Sequence, residues 1–391
     1  MILNQPLLNP GVVPGSFFVL LLFQGVAFAD FIRYNGNINL KLRVILMATE
    51  KLYFKNDYSE GACEQILRRF MEINYQQNTG YGTDEYCKSA EEKIRLACNC
   101  KDAQVKFICG GTQTNQLVIS TMLQPFEGVI GTTTAHVAAH EAGAIEYSGH
   151  KVLTLPHHDG KIDPVELVDL IETFWNDDSH EHMVYPGMVY VSHPTELGTL
   201  YSKAELQAVA NVCKNYNIPL YLDGARLGYG LMSEESDLTL EDIAELCDVF
   251  YIGGTKVGCL CGEAVVFTRN NMPKCFVAQI KQHGALMAKG WVTGLQFDTL
   301  FTDGLYYELG RHAIEMANLL KKGFVEKGYK LSVDSPTNQQ FIVVDNEQRK
   351  KLSEIAVFEN WERLDKEHTV IRFVTSWATK KETVEKLISL I

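Results

Sequence analysis

The chain has 391 residues, 46% of them hydrophobic and 21% charged. That composition supplies a large apolar core and excludes a disordered or fibrous protein. A formal net charge of −12 with no basic run excludes the concentrated Lys/Arg face of a nucleic-acid binder.

At the start of the chain, Ser16 to Ala29 is an apolar stretch too short to span a bilayer comfortably, and Ala27-Phe28-Ala29 resembles a signal-peptidase site. No Lys or Arg precedes it, and Met47 opens a self-sufficient sequence. Residues 1–46 are therefore expected to be a signal-like or spurious extension, with secretion as the alternative. The enzyme itself is expected in the cytoplasm, away from membranes.

From about residue 100, short apolar runs alternate with helical patterns, the signature of a mostly parallel sheet covered on both faces. The predicted strands are Val105–Cys109, Gly128–Gly131, Lys151–Leu155, Met188–Val191, Pro219–Leu222, Val249–Ile252 and Ala264–Thr268. Their unbroken apolar character predicts burial on both sides. Between them, Asp163-Pro164 reads as an N-cap followed by a first-turn proline. Ser202-Lys203-Ala204-Glu205 reads as a capping box ahead of a stripe formed by Leu206, Val209, Cys213 and Tyr216. A long helix over about 303–327 should lead into strands Phe341–Val344 and Val370–Val374 and a closing helix from Lys381. The expected fold class is thus α/β: a three-layer α/β/α domain over 47–300 that includes an N-terminal arm, and a smaller α/β domain over 301–391.

The ten cysteines read as small buried hydrophobes in a reducing compartment. Cys98-Asn99-Cys100 and Cys259-Leu260-Cys261 lack the C-x2-C spacing of a zinc site, so no metal is expected.

Three features close three separate predicted strands, where open α/β sheets bind ligands. Cys109-Gly110-Gly111-Thr112 ends one strand and opens a helix; glycines admit close backbone approach, and the helix N-terminus offers N–H groups to a phosphate. Tyr221-Leu222-Asp223-Gly224-Ala225-Arg226 delivers a carboxylate at the end of a buried strand, where only a cation repays its burial: either a pyridinium nitrogen or Arg226 itself. Gly253-Gly254-Thr255-Lys256 places a lysine after the next strand, either an imine-forming nucleophile or a surface residue on a turn. Phosphate cradle, pyridinium carboxylate and imine lysine, in that order, together point to pyridoxal 5′-phosphate (PLP).

From about Tyr53 onward the chain resembles the threonine aldolase group of PLP enzymes, which borders the β-eliminating lyases. The words that carry the resemblance are Asn56-Asp57, Tyr81-Gly82-Thr83-Asp84, Gly111-Thr112-x-x-Asn115-Gln116, Ala135-His136 with Glu141-x-Gly143-Ala144, Ser192-His193, Asp223-Gly224-Ala225-Arg226, Thr255-Lys256 and Ile371-Arg372-Phe373-Val374-Thr375. The resemblance implies an aspartate-aminotransferase-like fold in a homodimer or homotetramer acting on a small amino acid. It implies that Lys256 holds the cofactor, Asp223 keeps the ring nitrogen protonated, Gly111 and Thr112 bind the phosphate, and His136 stacks on the ring. Arg226 and Arg372 would clasp the cofactor oxygen and the substrate carboxylate, Asn56 would border the substrate, and His193 would lie near its β-hydroxyl, with His193 and His136 both acting on that hydroxyl in catalysis. Ala288 stands where the family has a phosphate-binding arginine, and Lys289 beside it would reach the phosphate of a neighbouring subunit.

The implied reaction is retro-aldol cleavage of threonine or allo-threonine to glycine and acetaldehyde. β-Elimination and transamination are the alternatives within PLP chemistry, and a non-catalytic relative that keeps the fold as a binding protein is the alternative outside it.

Overall fold

A computed structural model describes residues 51–391 of the chain, so the expectation for 1–46 lies outside the described residues. β1 (Leu52–Tyr53) pairs in parallel with β11 (Ala356–Val357). The central sheet contains β2 (Gln104–Ile108), β3 (Glu127–Thr132), β4 (Val152–Leu155), β5 (Tyr185–Ser192), β6 (Leu220–Asp223), β7 (Val249–Gly253) and β8 (Glu263–Phe267). These are the seven runs predicted from sequence, with ends shifted by up to three residues.

Spatial order in this sheet is β2-β8-β7-β6-β5-β3-β4. β8 runs antiparallel to both of its neighbours, while the remaining pairs are parallel. All the other strands therefore present their C-terminal ends at one edge, which is where a ligand cleft forms in such sheets.

Burial on both faces is visible residue by residue. Val129, Met188, Tyr190, Tyr221, Val249, Tyr251 and Val265 belong to one apolar cluster, together with Leu117 and Val118 of the helix Gly111–Met122. Their neighbours Ile130, Val189, Val191, Leu220, Leu222, Phe250 and Val266 belong to another, together with Leu206 and Val209 of the helix Lys203–Tyr216. The two-residue period of a strand sends alternate side chains to opposite layers of helices, which makes the three-layer sandwich.

The predicted helix signals operate as chemistry requires. Asp163 accepts hydrogen bonds from Val165 N and Glu166 N ahead of Pro164, and Ser202 with Glu205 forms a reciprocal capping box.

After residue 300, the helix Leu305–Glu326 leads to a four-stranded antiparallel sheet. Its strands are β9 (Lys330–Val333), β10 (Gln339–Asp345), β12 (Glu359–Arg363) and β13 (His368–Val374), with the helix Lys381–Leu390 closing the chain. Phe54 of the N-terminal arm packs in the same apolar cluster as Leu320, Ile342, Phe373 and Leu387. Among the described residues, no helix is long and apolar enough to cross a membrane.

Candidate active site

The C-terminal edge of the central sheet carries a cleft lined by residues from five strand ends. Gly111, Thr112 and Asn115 follow β2, His136 follows β3, and Ser192, Pro194, Thr195 and Glu196 follow or end β5. Asp223, Ala225 and Arg226 end or follow β6, and Tyr251 and Lys256 belong to or follow β7.

Asp223 is buried at the end of β6. Its Oδ2 accepts from Tyr190 OH at 2.6 Å and Asn115 Nδ2 at 3.0 Å, and its Oδ1 accepts from Tyr251 OH at 2.6 Å and Ala225 N at 2.9 Å. Burial by itself pushes this carboxyl up, but the nearby His136 and these donors outweigh it and hold Asp223 below the usual carboxylate range. Tyr190 and Tyr221 reach this network because residues 190 and 221 share one face of the sheet with 223.

Asn115 ties two carboxylates together: besides Asp223 it donates to Glu141 Oε1 at 2.7 Å and accepts from Tyr221 OH at 2.7 Å. The same Glu141 oxygen lies 2.8 Å from His136 Nδ1, which fixes that imidazole beside the cleft.

Lys256 sits in the turn after β7, and Tyr229 OH donates to its backbone carbonyl. Its ammonium is pushed down from the ordinary lysine value, first by burial and then by the charge of Arg226. Half-buried, it lines the cleft rather than the open surface. The Gly111–Met122 helix begins in the cleft with Gly110 as a cap that supplies no side-chain hydrogen bond, which leaves first-turn N–H groups to a ligand anion. A Cβ on Gly111 would come within 3.1 Å of Tyr251 OH, a phenol already engaged by Asp223, so the backbone lies close to the site's own machinery.

Arg226 does not pair with Asp223. Its Nε and Nη2 meet the two oxygens of Asp57 at 2.7 and 3.1 Å, and Asn338 Nδ2 donates to Asp57 at 2.9 Å. Burial pushes Asp57 up, but Arg226 and then Lys256 overcome this and keep it low.

Several residues assigned from sequence lie away from the cleft lining. Asn56 is turned into its own loop, accepting from Ser59 Oγ at 2.7 Å and Tyr58 N at 3.1 Å; its neighbour Asp57 is the residue that reaches into the site. His193 does not line the cleft. Ser192, two residues after Tyr190, keeps to the cleft face, so alternation turns His193 to the opposite side. There it is fully buried, its Nδ1 accepts from Tyr201 N at 3.4 Å, and its Nε2 has no partner among the described residues. Burial drives its pKa down to about 4.

Arg372 also lies outside the lining. It is buried on β13, with Nη1 donating to Gln339 at 2.7 Å, Nη2 bound to Glu359, and the guanidinium over the Trp361 ring at 4.6 Å. It remains linked to the cleft through a row of tilted rings: His136 to His140 at 5.6 Å and His140 to Trp361 at 6.1 Å. Lys289 is exposed in the turn before the helix Trp291–Leu300 and does not line the cleft.

The residues present fit PLP. A low-pKa lysine, a carboxylate kept ionised by four donors, and a bare helix N-terminus converge in one cleft beside a fixed imidazole. A sequence profile of beta-eliminating lyases matches residues 54–352, most of the chain. The chain belongs to the beta-eliminating lyase family.

This family comprises pyridoxal phosphate enzymes. Within it, the chain is 28% identical over 352 residues to a low specificity L-threonine aldolase of a Pseudomonas strain, covering 87% of this chain and 97% of that protein. It is 29% identical to the Pseudomonas aeruginosa protein of the same name, covering 85% and 95%. The structure of a Leishmania major threonine aldolase superposes with a TM-score of 0.84 at 41% identity, covering 86% of this chain and 98% of that one. Thermus thermophilus aspartate aminotransferase matches at a TM-score of 0.64 and 14% identity, covering 89% and 93%, which places the fold among the aspartate-aminotransferase-like α/β proteins.

Asn115, Asp57, Glu141 and Glu196 were missed as site residues by sequence reasoning, although the first three stand inside the quoted words. Glu196 carried one signal, an acid just past a buried strand. Tyr190 and Tyr251 carried none, because a strand tyrosine looks like core until strand order brings it to a carboxylate.

Proposed function

We propose that this chain cleaves the Cα–Cβ bond of a β-hydroxy amino acid of the threonine type, releasing glycine and acetaldehyde. The observation that carries this reading is the convergence of Lys256, Asp223 and the Gly111 helix N-terminus in one cleft, in a chain 41% identical to a threonine aldolase across 86% of its length.

In this reading PLP, when bound, supplies the electron sink that makes bond breaking at Cα feasible. Lys256 provides the attachment amine, for which its lowered pKa suits it. Asp223, kept anionic, would hold a proton on the ring nitrogen. Gly111 and Thr112 would receive the phosphate at the helix N-terminus, and His136, braced by Glu141, would pack on the ring. Arg226, oriented by Asp57, meets the cofactor oxygen or substrate carboxylate. Arg372 would meet the substrate carboxylate with its unpartnered Nε or by giving up Glu359.

The working enzyme is a cytoplasmic homodimer or homotetramer, with a cofactor domain over 47–300 and a smaller domain over 301–391. Exposed Tyr53, Tyr58, Met71, Tyr75 and Tyr81 along the N-terminal arm support burial of that arm against a second copy. Lys289 would then complete the neighbour's phosphate site.

Coupling the reaction to alcohol dehydrogenase tests the proposal. Acetaldehyde from threonine or allo-threonine is expected, whereas pyruvate from serine without acetaldehyde from either threonine isomer would reassign the chain to β-elimination.

A further inference from the structure

Cleavage of the Cα–Cβ bond of a β-hydroxy amino acid needs a group that removes the hydroxyl proton. Of the two histidines expected there from sequence, His193 faces the core, and His136 lines the cleft with its Nδ1 engaged by Glu141 Oε1 at 2.8 Å. Two carboxylates line the cleft, and they differ in what their oxygens have left to offer. Both oxygens of Asp223 are engaged, each by two donors. Glu196 is held by one oxygen: Oε1 accepts from His136 N at 2.9 Å and from Ser192 Oγ at 2.6 Å. No donor among the described residues reaches its Oε2. No Lys or Arg pairs with it either, in contrast to Asp57 with Arg226.

Resting on the aldolase reading above, we propose that Glu196 is the catalytic base of this site, taking the β-hydroxyl proton of the substrate through Oε2. The step balances within the substrate. The O–H bonding pair becomes the second bond of the aldehyde C=O, the Cα–Cβ pair stays with Cα, and a proton taken up at Cα replaces the one lost from oxygen. Threonine thereby yields one glycine and one acetaldehyde with no outside oxidant or reductant.

The surroundings suit a base. Burial raises the Glu196 carboxyl above the ordinary glutamate value, and the charge of Asp223 adds to the rise, while the Ser192 hydroxyl and His136 offset part of it. A carboxylate raised in this way accepts a proton more readily than an exposed one while remaining ionised over a useful pH range. Its bond from the backbone N–H of His136 places it beside the residue whose imidazole borders the ring site.

The test compares Glu196→Gln and Glu196→Asp with the wild-type holoenzyme. The glutamine carbonyl can still accept from His136 N and Ser192 Oγ, so the cofactor absorbance and the visible spectral titration with glycine, which has no β-hydroxyl, should be unchanged. Threonine cleavage should fall in kcat by about 10²–10⁴, and the acidic limb of the wild-type kcat/KM profile should disappear. Glu196→Asp keeps a carboxylate and should restore part of the rate together with the acidic limb.

Cleavage by Glu196→Gln within about threefold of wild type would overturn the proposal. So would an acidic limb that persists in that variant, or loss of glycine binding and cofactor alongside cleavage, which would mark a structural role. If Glu196→Gln does not fold, an aspartate variant with an unchanged kcat and pH profile has the same force. A wild-type holoenzyme that makes no acetaldehyde would remove the aldolase reading itself, which is a different result from an active wild type with an active glutamine variant.

Discussion

Replacing Lys256 with alanine should leave a folded protein with unchanged circular dichroism but without bound-cofactor absorbance or threonine cleavage. Borohydride reduction of the wild type followed by peptide mapping should place the cofactor on this lysine, and attachment at another would refute the assignment. His193 gives the opposite expectation. His193→Asn preserves an acceptor for Tyr201 N, so kcat should stay within about threefold while thermal stability drops. The pKa of His193 is depressed from 6.5 to about 4 in the folded chain, so the unfolded state binds the extra proton first. Its contribution to stability is fully present above pH 6.5 and is lost as pH falls from 6.5 toward 4. Melting curves should therefore show a steeper loss of Tm over this range in the wild type than in His193→Asn. Equal slopes would contradict the burial argument. The two residues also mark how far single positions are legible in sequence. Lys256 closes a strand in an ordered set of motifs, which fixes its side of the sheet. His193 sits one residue beyond Ser192, and a one-residue shift in a strand changes the face a side chain occupies.

At the scale of elements, the seven strands of the central sheet were readable because runs buried on both sides are unbroken in sequence. The helix starts at Asp163-Pro164 and Ser202 were readable because capping is local chemistry. What sequence did not contain is which elements touch. The helices Leu227–Leu231 and Leu305–Glu326 approach so closely that a Cβ on Gly310 would lie 2.3 Å from the backbone carbonyl oxygen of Gly228. Backbone cannot yield as a flexible side chain does, so Gly310→Ala should cost about 1–3 kcal/mol of stability. That loss should appear in chemical denaturation, with threonine kinetics of the folded fraction unchanged. A neutral substitution would mean that the helices separate without penalty. The same lack of contact information hid the Asp57–Arg226 pair, whose members lie 169 residues apart. Arg226 was legible as a functional cation, but its partner emerged only when the arm folded back across the sheet edge.

For the whole molecule, the sheet topology explains why so few words of sequence carry so much of the site. Every strand of the central sheet but β8 ends at the same edge, so motifs scattered from residue 111 to residue 256 converge on one cleft. Lys289, exposed and outside that cleft, belongs to the scale of the assembly. Lys289→Ala should weaken PLP binding by about 1.5–3 kcal/mol if it meets the phosphate of a second copy. Unchanged affinity in an intact oligomer would reject that contact. The central claim, that this cleft breaks the bond between Cα and Cβ, is tested most directly by following threonine labelled with carbon-13 at both positions by NMR. The account predicts that the coupled pair separates into glycine carrying one label and acetaldehyde carrying the other, in equal amounts. A product in which the two labels remain bonded, as in a 2-oxo acid formed by elimination, would contradict it.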